Sequence, residues 1–202
     1  FSNNIYVDGL ESNSKYVFQY VKNVEIHHAK ITTKDAFWEV ENVTIYDSEL
    51  NGEYLGWHSK NLRLVNCHIT GEQPLCYAHD LILENCTFGP DCDRTFEYST
   101  LQADIHGAIT NIKNPMSGCI VADEFGSITI DENIKAPADC EIRLRDERRR
   151  LGGGSSAMRI RGWRADLCGR DLIIVGSRRR TGGRTSARST ELLIRAVSRR
   201  TR

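Results

Sequence analysis

The stretch Asn42-Val43-Thr44-Ile45-Tyr46-Asp47-Ser48-Glu49-Leu50-Asn51-Gly52 decides the fold. Val43 alternates with Ile45 and, after a polar break at Asp47, Ser48 with Leu50, which is the two-residue period of β-strands. Nineteen residues upstream the pattern recurs as Asn23-Val24-Glu25-Ile26, and nineteen downstream as Asn61-Leu62-Arg63-Leu64. The rows continue outward to Asn4-Ile5-Tyr6-Val7, to Asp80-Leu81-Ile82-Leu83 and, after a step of twenty, to Thr100-Leu101-Gln102-Ala103. A helical period fits nowhere in this region.

Each row breaks at Gly9, His28, Asp47, Asn66 or Asn85, a column of residue types that tolerate a left-handed backbone, so each row turns a corner there. A second corner falls near Thr32-Thr33, Asn51-Gly52 and Thr70-Gly71, and a third just before the Asn that opens each row. Short strands joined by three corners at a fixed period form one coil of a solenoid, stacked about 4.8 Å from the next. The expected fold is therefore all-β: a right-handed parallel β-helix with coils of 19–20 residues, followed by an Arg-rich tail without clear fold. Val24, Val43, Leu62 and Leu81 form one inward ladder, Ile26, Ile45, Leu64 and Leu83 another, and Ala29, Ser48, Cys67 and Cys86 a ladder of small residues. The Asn23, Asn42, Asn61 column reads as a stack of amides satisfying corner backbone groups. The strands Gly118–Ala122 and Ser127–Ile130 place the end of the solenoid at 136, after six or seven coils. The chain begins at Phe1 with no visible cap, which points to further coils upstream.

The zero net charge of the 202 residues averages two unlike parts. Residues 1–140 carry nine bases against twenty-one acids, a net charge of −12; residues 141–202 carry eighteen Arg, no Lys and six acids, a net charge of +12. In the second part the repeat stops and Arg148-Arg149-Arg150, Gly152–Ser156 and Arg178-Arg179-Arg180 take over. Residues 137–202 thus read as a disordered or non-native extension, such as a shifted reading frame produces. As a genuine segment they would be a nucleic-acid-binding arm, since clustered Arg neutralises phosphates. No run approaches eighteen apolar residues, so no membrane association is expected.

Several irregular pieces, in order, carry a resemblance: Asn23-Val24-Glu25-Ile26-His27, Lys34-Asp35-Ala36-Phe37-Trp38, Gly52-Glu53-Tyr54-Leu55-Gly56-Trp57 and Phe96-Glu97-Tyr98-Ser99-Thr100. Over residues 3–140 the chain resembles the bacterial domain-of-unknown-function family 3737. The resemblance implies a β-helix similar to the pectin-lyase fold and brings no catalytic residues with it.

The chemistry such a scaffold could carry is tested by asking which side chains share a column. A third strand in each row would stack Trp38, Trp57, Cys76 and Phe96, flanked by Glu39, His58, Tyr77 and Glu97. The aromatics are either core or a platform for a sugar ring, and the candidate ligand-binding residues are Trp38, Trp57, His58, Glu39 and Tyr77. Glu39 and Glu97 would lie about 14 Å apart at the strand spacing, beyond the roughly 5–9.5 Å of a glycosidase pair. Asp91 and Asp93 read as a solvated turn, and no acidic cluster faces Arg63. His58 pairs with Glu39, and no histidine gathers the three or four ligands that zinc needs. Cys67, Cys76 and Cys86 read as small buried thiols of a reducing compartment, which points to the cytoplasm.

The sequence therefore predicts a non-catalytic scaffold or binding surface, with a carbohydrate-active or carbohydrate-binding β-helix as the alternative. No metal and no cofactor are expected. The expected partner is a carbohydrate, with nucleic acid added only if the Arg-rich tail is genuine.

Overall fold

The computed structural model describes residues 2–131 and 139–145, together with the backbone of four short strands between 157 and 196. It is an all-β solenoid of about seven turns. One face stacks β1 (Asn3–Asp8), β3 (Lys22–His27), β5 (Glu41–Tyr46), β7 (Lys60–Val65), β9 (Leu81–Phe88), β10 (Thr100–Lys113), β11 (Ser117–Thr129) and β12 (Asp139–Leu144), every neighbouring pair parallel. A second face stacks β2 (Glu11–Lys15), β4 (Lys30–Lys34), β6 (Glu49–Asn51) and β8 (His68–Thr70), then passes into the far end of β9.

The nineteen-residue rows are physical neighbours: Val24 pairs with Val43 and Val43 with Leu62, while Ile26, Ile45, Leu64 and Leu83 follow one another coil by coil. All of these side chains are buried, as are Ala29, Ser48, Cys67 and Cys86 in the small-residue ladder. Burying a Leu or Ile side chain contributes about 1.5–3 kcal/mol, and each coil repeats that gain on a floor supplied by the coil below. The first corner also holds, with positive φ at Gly9, His28, Asp47, Asn66 and Asn85. Later coils vary in length: the register steps from Leu81 to Leu101, Leu101 to Gly118 and Gly118 to Cys140. The parallel stack reaches Leu144, beyond residue 136, where the sequence reading ended it. Beyond it the Arg145 guanidinium spans three coils, donating from Nε to Asp123 Oδ1 at 2.7 Å and from Nη2 to Asp104 and to the Ile105 carbonyl at 3.0 Å.

Two expectations are corrected. The third side of each coil is not a strand but a run of turns in which alternate residues have positive φ. Tyr16, Phe18 and Tyr20 do so in one coil and Asp35, Phe37 and Glu39 in the next, followed by Tyr54, Gly56 and His58, by Gln73, Leu75 and Tyr77, and by Arg94, Phe96 and Tyr98. Its amides alternate in direction: Asp35 N–H donates up to the Glu53 carbonyl at 2.9 Å, Phe37 N–H down to Val17 at 3.1 Å, and Glu39 N–H up to Trp57 at 2.9 Å. A left-handed L-residue costs roughly 1–2 kcal/mol, and these bonds to both neighbouring coils offset it. Second, the amide column is exposed and bonds to itself, Asn42 Nδ2 to Asn23 Oδ1 at 3.1 Å and Asn61 Nδ2 to Asn42 Oδ1 at 2.9 Å, instead of serving corner backbone groups. A second exposed ladder joins Asp47, Asn66 and Asn85 at 2.8 and 2.7 Å. The Arg63 guanidinium meets one acid, not a cluster. Thr44 and Ile82 are its register neighbours, but Glu84 reaches it diagonally at 2.8 and 2.9 Å.

The readings of residues 137–202 as disordered or non-native, or as a nucleic-acid arm, fall mainly outside the described residues. Within them, β13 (Ala157–Arg159) pairs antiparallel with β12 and β14 (Arg164–Ala165) with β13, while β15 (Leu172–Ile174) pairs with β16 (Ile194–Ala196).

At the second corner Gly71 has φ +104°, and an added Cβ would stand 2.4 Å from the Gly52 carbonyl oxygen. Gly9, at φ +71°, has nothing within 4 Å. Gly71→Ala is expected to lower unfolding free energy by about 2–4 kcal/mol, backbone strain plus overpacking, and Gly9→Ala by about 1 kcal/mol; urea denaturation of the two variants measures the difference.

Candidate functional site

The turn side brings together most of the residues the sequence selected. Hydrogen bonds from Glu39, His58 and Tyr77 to the carbonyls of Trp57, Cys76 and Glu97 place Trp38, Trp57, Cys76 and Glu97 in one column and Glu39, His58, Tyr77 and Tyr98 in the next. The sequence alignment therefore slips by one residue at the fifth coil. Phe96 does not follow Trp57; it stacks below the surface in the column of Phe37, Gly56 and Leu75 and is fully buried. The cause is the extra residue in the coil that contains Gly89–Asp93, which shifts the turn side until the register returns to a step of twenty at Leu101.

Phe37 is the inward aromatic of its coil, and Trp38 and Trp57 are half-buried at the rim. Their rings stack at 5.4 Å, and the chain of contacts runs on from Trp57 to Tyr77 at 5.0 Å and from Tyr77 to Tyr98 at 5.6 Å. Tyr54 meets Trp57 edge-on at 4.9 Å. Trp38 stacks on Trp57 and Tyr77 on Tyr98, while Tyr77 meets Trp57 edge-on, so the neighbouring coil covers part of each ring. Both indole N–H groups are used: Trp57 donates to the Gln73 carbonyl at 2.7 Å and Trp38 to Glu39 Oε1 at 3.2 Å. His58 does not pair with Glu39. It stacks on Tyr77 at 5.0 Å with the rings 19° apart.

Glu97 introduces a cluster that column reasoning missed. Its side chain is 11% exposed and meets Lys113 Nζ at 3.2 Å; the same ammonium lies 3.5 Å from Asp131, whose carboxylate accepts from the buried Asn114 amide at 2.8 Å. The signal that could have revealed it is the short coil between Leu101 and Gly118, which crosses this side with only Asn114–Met116 and so brings Lys113 over the tier of Glu97. Asp91 and Asp93 are not merely solvated: they accept from the backbone amides of Gly71 at 2.8 Å and Gln73 at 3.3 Å, capping the coil below. Carboxylates committed in this way act as anchors for the backbone amides and the ammonium they meet.

Burial pushes the thiols of Cys76, Cys92 and Cys140 up to about 12, and the hydrogen bond with Cys86, then burial, raises that of Cys67. A nucleophilic cysteine needs its thiolate, so these side chains are packing groups. Among the described residues no group of three or more His, Cys, Asp or Glu stands together to hold a metal ion. None of the described helices is long and apolar enough to cross a membrane, since the described residues form none.

A protein-family model matches residues 1–143, which is the whole solenoid up to the last parallel rung. The chain belongs to the family of proteins of unknown function DUF3737. In this member of DUF3737 the matched segment ends at Arg143, one residue short of the end of β12, so the family covers the coiled part of the chain. Comparison with curated proteins and with solved structures found no match.

Burial first, then the Glu97 carboxylate, raises the Tyr77 phenol. The folded state then holds this proton more tightly than the unfolded chain does, so its stability is complete below pH 10 and falls as pH rises past it. Tyr77→Phe is expected to make that alkaline loss shallower in thermal melts between pH 9 and 11, roughly the range about the free phenol. Of the described thiols, Cys119 is the half-buried one, and in a Cys168→Ser background it is expected to react with a thiol reagent at pH 8 well before the other five.

Proposed function

We propose that this DUF3737 solenoid is a non-catalytic scaffold that offers a binding surface on its turn side, where Trp38, Trp57, His58, Glu39 and Tyr77 reach the exterior. The observation that carries this reading is the commitment of its outward polar groups to neighbours one coil away. Lys22 pairs with Glu41, Lys30 with Glu49 and Lys34 with Glu53, the two amide ladders run alongside, and Arg63 holds Glu84. Surface ion pairs contribute little singly, about 0–1 kcal/mol, but repeated along several columns they stiffen the stack. Acid–base chemistry needs a carboxyl group free to exchange a proton with substrate. Glu97 and Asp131 are instead engaged by the Lys113 ammonium, at 3.2 and 3.5 Å.

The carbohydrate reading has one feature in its favour: aromatic rings beside Glu39 and Gln73 combine an apolar rim with hydrogen-bonding neighbours, as sugar sites do. We place the protein in a reducing compartment, the cytoplasm, because all six described cysteines are unpaired even though Cys67 and Cys86 occupy successive coils.

Acrylamide quenching of Trp38 and Trp57, read in single-tryptophan variants, together with a reducing-end assay on neutral and acidic oligosaccharides, tests the proposal. Partial quenching and no turnover are expected. Fully shielded indoles would remove the turn side as a binding surface, and turnover that disappears in Glu97→Gln would replace the scaffold with an enzyme.

A further inference from the structure

The second face carries a groove that the turn-side reading does not use. It encloses about 250 Å³ and runs along the solenoid axis over β4, β6 and β8. One wall is the column Lys30, Glu49, His68 and the other is the column Thr32, Asn51, Thr70. The floor is backbone, because Ile31 and Leu50 turn their side chains into the core and are 1% exposed.

The two walls differ in one respect that sets this face apart. On the first wall the polar groups are already spent: Lys30 meets Glu49 at 3.3 Å and His68 Nδ1 shares a hydrogen bond with Thr87 at 2.7 Å. On the second wall the hydroxyls of Thr32 and Thr70 and the amide of Asn51 have no hydrogen-bond partner, although the other asparagine columns of the described solenoid bond from coil to coil. With Asn13, the register partner of Thr32 one coil below, four neutral donor–acceptor groups therefore stand along one line, one per coil, about 4.8 Å apart, and three of them line the groove.

The chemistry of the lining decides among ligands. The strand amides and carbonyls of this face are engaged in the parallel ladder, so a peptide finds no edge to join. The Ile31 and Leu50 side chains lie buried beneath the groove, so an acyl or aromatic ligand meets neither of them directly. Lys30 and Glu49 offset each other, and the −12 net charge of residues 1–140 repels phosphates and uronates alike. What remains is an uncharged chain that presents hydroxyl groups at a repeat close to the coil step, which is the form of a linear oligosaccharide of neutral sugars.

We propose that the groove between the Lys30–Glu49–His68 and Thr32–Asn51–Thr70 columns binds a linear neutral oligosaccharide lying along the solenoid axis, one sugar ring to each coil. This rests on the reading of the protein as a binding surface and adds to it a second face and a ligand class. The contact is small and polar, so dissociation constants of about 1 mM are expected. Each side-chain hydrogen bond to a hydroxyl is expected to change affinity roughly two- to tenfold.

The test is a chemical-shift or calorimetric titration of the full chain with xylobiose, xylotriose, xylotetraose and trigalacturonate. Affinity should rise from two rings to three, one for each of Thr32, Asn51 and Thr70 in the groove, with a smaller gain at four from Asn13 beyond its end. Trigalacturonate should bind more weakly than xylotriose. Asn51→Ala should weaken xylotriose binding roughly two- to tenfold with an unchanged melting temperature, and the Thr32→Val/Thr70→Val double variant more than either single one. Binding that ignores chain length, equal affinity in Asn51→Ala, or preference for trigalacturonate would each overturn the proposal. Should Trp57→Ala abolish binding while Asn51→Ala leaves it intact, the groove falls and the turn-side surface stands. Should no oligosaccharide bind, the groove again falls, while tryptophan accessibility still decides the turn side.

Discussion

The interaction on which everything else depends is the parallel hydrogen bonding of one coil to the next. It sets residues nineteen apart side by side, and every ladder in the molecule is a consequence of that register. Val43 is buried because Val24 and Leu62 lie below and above it, and Asn42 bonds Asn23 and Asn61 for the same reason. A change in coil length does not break the stack, but it reassigns columns, as happens where Glu97 takes the place that Phe96 holds in the simple alignment.

The turn side shows how much conformational strain such a register can support. Fifteen residues across five coils sit at positive φ, and only Gly56 among them is glycine. None of the fifteen is β-branched, which follows from the clash a branched Cβ makes in that region. Each strained amide gains a partner in a neighbouring coil, and the rings one coil apart gain one another, so the cost is offset by contacts that exist only in the stacked state. The same economy governs the outside of the solenoid. Charges and amides pair along the axis, leaving few free groups, and this makes the unpaired Thr32, Asn51 and Thr70 column informative.

Much of the architecture was legible beforehand. The inward ladders and the first corner at Gly9, His28, Asp47, Asn66 and Asn85 follow from writing the sequence in rows of nineteen. The candidate site was legible only in part. Trp38, Trp57, His58, Glu39 and Tyr77 do share one side, yet the partners assigned to them were wrong: His58 stacks on Tyr77 and leaves Glu39 to the Trp38 indole. A column names neighbours; it does not say which side-chain conformer each adopts. Lys113 and Asp131 were missed because the period changes there, and a method built on a fixed period loses distant residues once the period shifts.

The sequence by itself determined that this chain is a coiled stack of short strands, because a two-residue alternation repeated every nineteen residues has one economical way to bury its apolar side chains and pair its backbone. Only the tertiary structure decided that the third side is made of left-handed turns, that the tryptophans stand half-buried at the rim, and that Glu97 meets Lys113 and Asp131. Those outcomes depend on backbone dihedral angles and on the lengths of individual coils, which several residue types can satisfy equally and which become fixed only when the neighbouring coil supplies its hydrogen bonds.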